Sequence, residues 1–177
     1  LAVKGGSITV STTSGDGLKT TEEKDAARGY VWIDRGSVSI AAVRGDGVSA
    51  AGELVTTGGS LGVSAGGGSS ASLPADAPSA KGLKAARDIV IGDGSNISVN
   101  SADDGVHSDA DLTIEGGTIY VSTGDDGYKA EGTVAISGGL VDVAVSNEGI
   151  EGLKVNISGG TVHAAARDDA INATEEG

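Results

Sequence analysis

Two short markers recur in fixed order along the whole chain, and they limit its folds more than any other feature. The first is a glycine pair or a variant of it: Gly5-Gly6, Arg35-Gly36, Gly58-Gly59, Gly92-Asp93-Gly94, Gly116-Gly117, Gly138-Gly139 and Gly159-Gly160. The second is an acid-glycine step, Asp16-Gly17, Asp46-Gly47, Asp104-Gly105, Asp126-Gly127 and Glu148-Gly149, with Lys81-Gly82 and Asp169-Ala170 as variants. From Asp104 through Asp126 and Glu148 to Asp169 the spacing is 22, 22 and 21 residues. Earlier intervals of 30 and 35 residues place insertions near 20–29 and 66–79. The chain thus reads as about seven copies of one unit of about 22 residues.

Within a unit the apolar residues alternate with a period of two, the pattern of a strand that buries one face. Leu112 and Ile114 precede the glycine pair, Ile119 and Val121 follow it, and Val106 follows the acid-glycine step. Three short strands per unit with no helical period predict an all-β fold. The expectation is a right-handed parallel β-helix, or β-solenoid, of about seven three-strand rungs in a single domain over residues 1–177.

That architecture explains an unusual composition. The 177 residues include 31 Gly, one Trp and three Tyr, with no Phe, Met or Cys. Stacked Val and Ile ladders fill a narrow interior without rings, and glycine supplies turn positions at positive φ. Collagen is excluded because glycine is not at every third position. Hydrophobic content of 38% is too high for a solvated coil. No apolar run is long enough to span a bilayer, and no signal peptide is visible. Absence of cysteine removes disulfides, thiolate zinc sites and a cysteine nucleophile. With 25 acidic against 12 basic residues and a net charge of −13, nucleic acid is a poor partner and cations are good ones. The chain begins at Leu1 and both ends fall inside a repeat with no evident cap. The expectation is a longer natural chain with flanking domains, or end-to-end self-association.

Four stretches carry a family resemblance: Thr20 through Ile33 with its acids and Trp32, Ser101-Ala102-Asp103-Asp104-Gly105-Val106-His107-Ser108, Asn147-Glu148-Gly149-Ile150-Glu151-Gly152, and Arg167-Asp168-Asp169-Ala170-Ile171-Asn172-Ala173. They resemble the β-helical carbohydrate-binding domain family, whose members are secreted bacterial proteins that bind cellulose and acidic sugars. The family is similar in structure to calcium-dependent pectate lyases of the β-helix type. Many members carry an aspartate at nearly every acid-glycine step. This chain departs from that pattern at Lys81, Arg35, Asp93 and Ser49, which moves the expected metal site toward the C-terminal half.

Stacking would superpose Asp103 and Asp104 on Asp125 and Asp126, then on Asn147 and Glu148, then on Asp168 and Asp169. Carboxylates one strand spacing apart either raise each other's pKa or recruit a cation. Calcium suits such a site because it takes many oxygen ligands in irregular geometry. The competing reading is turn chemistry, since Asp-Gly is a common turn dipeptide. Asp109, Asp111 and Glu131 lie nearby, either as further ligands or as solubilising charge. Asp16 with the insertion acids Glu22, Glu23 and Asp25 forms another candidate, set against a solvated loop.

An outward column of Lys19, Lys84, His107, Lys129, Glu151 and Asn172 stands beside the acids. His107, Lys129 and Glu151 are therefore candidates for sugar contact. In the lyases that the family resembles, a lysine beside calcium removes the proton α to a uronate carboxyl. Lys129 would be the base here, but an acidic field favours its charged, salt-bridging form. No catalytic residue is otherwise assigned. Neutral sugars stack on rings, for which Trp32, Tyr30 and the outward Tyr120 are candidates, while Tyr128 has core parity. The leading expectation is a secreted or cell-surface, calcium-binding protein for cellulose or acidic polymers such as polygalacturonate. The alternatives are a calcium-dependent uronate lyase and a structural fibre or adhesin segment.

Overall fold

In the computed structural model the described residues are 1–25, 27–74 and 76–174. Ala26 and Ala75, which fall in the two expected insertions, and Glu175, Glu176 and Gly177 lie outside them. The fold is all-β, with no helix among the described residues, and hence none long and apolar enough to cross a membrane. The N-terminal half contains β1 (Ala2–Thr12), β2 (Leu18–Lys19), β3 (Val31–Ala42), β4 (Val48–Ala50), β5 (Leu54–Ala65), β6 (Leu83–Ala85) and β7 (Ile89–Ser101). The rest follows as β8 (Val106–Ser108), β9 (Leu112–Ile114), β10 (Thr118–Thr123), β11 (Tyr128–Ile136), β12 (Leu140–Val145), β13 (Ile150–Ile157), β14 (Thr161–Ala164) and β15 (Ile171–Ala173).

These strands form one curled 15-stranded sheet, and the pairings within it are parallel. Each strand pairs with its equivalent in the next unit, so the repeat in sequence becomes a register in space. Leu18, Val48, Leu83, Val106, Tyr128, Ile150 and Ile171 stand in one such register. Val38, Leu61, Ile97, Ile119, Val141 and Val162 stand in another. Alternation buries these residues, apart from Val162 and Ile171 in the last unit, and leaves their neighbours more exposed, as in Val31 and Ile33 on either side of Trp32. Each fully buried Val, Leu or Ile contributes about 1.5–3 kcal/mol, and the Val, Ile and Leu ladders form one continuous cluster. Tyr128 is the one large ring inside it, and its hydroxyl has no hydrogen-bond partner among the described residues.

Two details differ from the sequence expectation. The first two strands of a unit run on as single strands of 11 to 13 residues in β1, β3, β5 and β7. The chain bends there without leaving the ladder, because a glycine such as Gly59 (φ 80°) takes the positive-φ position beside a register shift. The acid-glycine step uses glycine for another reason. Gly105 is not at positive φ, but a Cβ there would lie 2.6 Å from the Gly127 carbonyl oxygen and press into Val121. Close approach of neighbouring units, and not turn conformation, demands glycine at that step.

The insertions fold onto this frame. Ser79, at the end of the second insertion, donates to Asp46 at 2.7 Å, which brings that loop against the acid-glycine corner. The Glu22 carboxylate in the first insertion accepts the backbone N–H of Lys24 and Asp25 at 2.9 and 3.2 Å.

Candidate functional site

At the acid-glycine corner the carboxylates serve two tasks, and Asp16 and Asp104 serve both. One oxygen caps the unit ahead: Asp46 N–H donates to Asp16 at 2.9 Å, Lys81 N–H to Asp46 at 2.9 Å, and Asp126 N–H to Asp104 at 3.2 Å. The other oxygen meets the outward residue three positions on, which the short third strand brings back over the corner. Asp16 pairs with Lys19 at 2.8 Å, Asp104 with His107 at 2.7 Å and Asp126 with Lys129 at 3.0 Å. The acid-glycine repeat therefore ties neighbouring units together by backbone capping, with charge pairing added at Asp16, Asp104 and Asp126.

Lys81 stands where other units have an acid, and its ammonium lies 3.0 Å from Asp103 and 2.7 Å from Asp104. Burial acts to raise the Asp104 carboxyl, but the His107 hydrogen bond and the Lys81 charge outweigh it and hold it down at about 2. His107 is buried, with its second ring nitrogen 2.9 Å from Asp109. One unit on, the Lys129 ammonium bridges Asp126 and Glu151, the latter at 2.7 Å. Burial acts to lower the Lys129 pKa, yet its bonds to Glu151 and Asp126 drive it well above the ordinary lysine range. Asp126 is raised by burial against the opposing Lys129 bond, with Glu151 and Asp104 adding to the rise. Asp125 is raised too, by burial first and then by the charges of Asp126, Asp104 and Asp103.

Two groups of carboxylates could hold a metal ion: Asp103, Asp104 and Asp125, and separately Asp126, Glu148 and Glu151, each with ligand atoms within 4.8 Å of one another. The fit differs between them. In the second group Lys129 already bridges two of the three acids, and Glu148 accepts from Asn172 at 2.9 Å. In the first, Lys81 satisfies Asp103 and Asp104, whereas Asp125 is exposed and, among the described residues, has no cation at ion-pair distance. The donors there are hard oxygens, which suits calcium or magnesium better than a softer ion.

The remaining acids take other positions. Asp168 and Asp169 are exposed and lie outside both groups, while the Asn147 carbonyl accepts the Asp168 N–H at 2.9 Å. Asp111 accepts the Thr133 N–H at 2.7 Å, and Glu131 is exposed. Glu22, Glu23 and Asp25 are exposed in their loop, where Asp25 pairs with Arg28 at 3.3 Å, and Asp16 is taken up by Lys19 and Asp46.

An open, polar groove of about 580 Å³ runs beside the first group, lined by Ser69–Leu73, Asp103, Asp125 and Arg167. Arg167 closes one side, its guanidinium donating to the Gly124 carbonyl at 2.7 Å. Sequence reasoning passed over Lys81, Ser79 and Arg167. The register of Lys81 with Asp46 and Asp104 was a usable signal, while Ser79 and Arg167 arrive through loop geometry that no repeat encodes. Of the aromatic candidates, Tyr120 is 47% exposed on β10 in register with Asp142, which meets His163 at 3.2 Å. Trp32 and Tyr30 lie on the outer face of the first ladder, clear of both acid groups.

A family model described as a carbohydrate-binding domain-containing protein matches residues 1–127. No curated protein and no solved structure matches the chain. The matched segment includes the Asp103, Asp104 and Asp125 group, the Lys81 ammonium and Trp32, and with 127 of 177 residues inside it the chain belongs to this carbohydrate-binding domain family.

Proposed function

We propose that this protein is a secreted or cell-surface module that attaches to cell-wall polysaccharide, with acidic polymers such as polygalacturonate meeting it at the carboxylate corner. The proposal takes the curled sheet as a right-handed β-helix of about seven rungs, a form with which its parallel, unit-by-unit register is compatible. One observation carries the functional reading: the Asp103, Asp104 and Asp125 oxygens converge beside an open polar groove in which Arg167 is the only cationic lining residue. Asp125, joined by Asp103 and Asp104 once calcium displaces the Lys81 ammonium, would hold the ion, which supplies the positive charge that a uronate carboxylate needs at an acidic surface. Arg167 offers a guanidinium to the same carboxylate, and the serines of the 69–72 loop offer hydroxyls to the sugar.

Calorimetry with polygalacturonate tests this directly. Heat of binding is expected with millimolar calcium and a loss of about tenfold or more in affinity in chelator. Absence of heat in both conditions would sink the reading.

A lyase reading gains little from the geometry, because Lys129 is bonded to two carboxylates and its pKa is raised, the reverse of what a base requires. A structural reading has one observation in its favour. Leu153, Ile157 and Ile171 in the last strands are 45%, 44% and 50% exposed, an apolar end against which a further copy could stack. Light scattering that shows a monomer at every concentration would count against it.

A further inference from the structure

We propose that Arg44 and Lys84, set around Ser49 and beside Asp46, form a site for a phosphate group that carries a proton, and that this site needs no metal ion. The cavity between them has a volume of about 430 Å³, and the Asp16–Lys19 pair and Ser79 complete its walls. It shares no residue with either carboxylate group.

Two departures from the repeat create the site. Elsewhere a corner carboxylate answers the outward side chain three positions on, as Asp16 does Lys19, Asp104 does His107 and Asp126 does Lys129. Lys84 has no such acid, because Lys81 holds its corner position and pairs with Asp103 and Asp104 instead. Asp46 has no such cation, because Ser49 stands three positions on. The pairing of β2, β4 and β6 puts Lys19, Ser49 and Lys84 in one register, so a short hydroxyl separates two lysines about two strand spacings apart. Charge is left unanswered there. Among the described residues neither the half-buried Lys84 nor the exposed Arg44 has an ion pair or a side-chain hydrogen bond, and the Ser49 hydroxyl has no partner.

The chemistry of the lining selects the ligand. Three cations stand against two carboxylates here, in a molecule whose net charge is −13. Lys19 and Asp16 answer each other at 2.8 Å, which leaves Arg44, Lys84 and Asp46 to meet a ligand. Asp46 is 5% exposed, and its Oδ1 accepts the Ser79 hydroxyl at 2.7 Å and the Lys81 N–H at 2.9 Å. Its Oδ2 has no hydrogen-bond partner among the described residues. Burial raises the Asp46 carboxyl, and the charge of Lys84 is among the effects that oppose the rise, so that ammonium lies within electrostatic reach. Sulfate or a uronate carboxylate has no hydrogen to give and would set bare oxygens against Oδ2. Hydrogen phosphate donates its O–H to Oδ2 while its other oxygens accept from Arg44, Lys84 and Ser49. The carboxylate that repels other anions therefore favours this one.

Calorimetry with inorganic phosphate in chelator tests the site. Saturable binding is expected, with sulfate weaker by about tenfold or more. Lys84→Ala and Arg44→Ala should each weaken phosphate binding by about tenfold with little change in melting temperature, since neither side chain has a partner to lose. Asp46→Asn should bring sulfate and phosphate close to equal affinity, and if that variant fails to fold, the two cation variants decide. Methyl phosphate identifies the source when compared with the free ion at about pH 5.5, where both carry a proton. Equal affinity assigns a phosphate group borne on a larger molecule, weaker affinity assigns the free ion, and either result supports the site. Absence of phosphate binding, equal binding of sulfate by the parent, or phosphate binding undiminished in both cation variants overturns the proposal. Each of those outcomes leaves the polysaccharide reading intact, because polygalacturonate is titrated separately and at the other corner.

Discussion

At Asp16, Asp104 and Asp126 the side chain that answers the corner carboxylate stands three positions on, and that interval shapes the electrostatics of this edge of the protein. Asp104 is almost fully buried, and an ionised carboxylate there is tolerable only because Lys81 and His107 are within 2.7 Å. Lys81, 14% exposed in its side chain, is the counter-charge for both Asp103 and Asp104. Replacing it with methionine keeps the stem and removes the charge, which leaves two carboxylates facing each other. Lys81→Met is expected to lose about 2–3 kcal/mol in chelator, measured by denaturant unfolding. The same change clears an ammonium from the Asp103, Asp104 and Asp125 group, so millimolar calcium should restore more stability to the variant than to the parent. Equal stability of parent and variant in chelator would show that Lys81 is a bystander.

Element by element, the structure separates two uses of glycine that look identical in the sequence. Gly105 and its equivalents are forced by the approach of the next unit, whereas Gly62 has open space around a built Cβ and no positive φ. Gly105→Ala is therefore expected to cost about 1–3 kcal/mol through overpacking. Gly62→Ala should be neutral or stabilising by up to about 1 kcal/mol, since it only restricts the unfolded chain and fills no occupied space. Paired thermal melts check both, and a similar loss in each would refute the distinction. Strand positions and inward parity were legible from period two alone: the register of Tyr128 with Val106 and Ile150 follows from the repeat. Fusion of neighbouring strands through the glycine pair was not legible, because a positive-φ residue reads as a turn whether or not the ladder continues across it. At the site, the stacking of Asp104 on Asp126 was legible for the same reason of period. The neutralising role of Lys81 was signalled only by its register between Asp46 and Asp104, since a single departure from a repeat does not say which neighbour the new side chain reaches. Arg167 was hidden by distance, lying 43 residues from the Gly124 carbonyl it binds.

For the molecule as a whole, the charge of −13 and the opposed carboxyl shifts set the expected direction in which stability varies with pH. Asp46, Asp125 and Asp126 are raised above 3.8, burial being the first cause in each, so the folded state binds their protons more tightly than the unfolded chain. Stability consequently rises as pH falls from neutrality toward 3.8, and relief of general anionic repulsion adds to that rise. Asp104 works in the opposite sense. Its folded value of about 2 lies below 3.8, a difference worth about 2 kcal/mol that is present above 3.8 and lost as pH falls through 2. At the alkaline end the raised Lys81 and Lys129 contribute stability below 10.5 that disappears as pH climbs past their folded values. These terms place the maximum on the acid side of neutrality, above 3.8. Thermal melts in chelator across pH 2–11 should trace such a curve, with added salt raising the neutral melting temperature toward the acidic one by screening. A maximum at or above neutrality would mean that the buried carboxylates are better compensated than their pairing with Lys81, His107 and Lys129 implies.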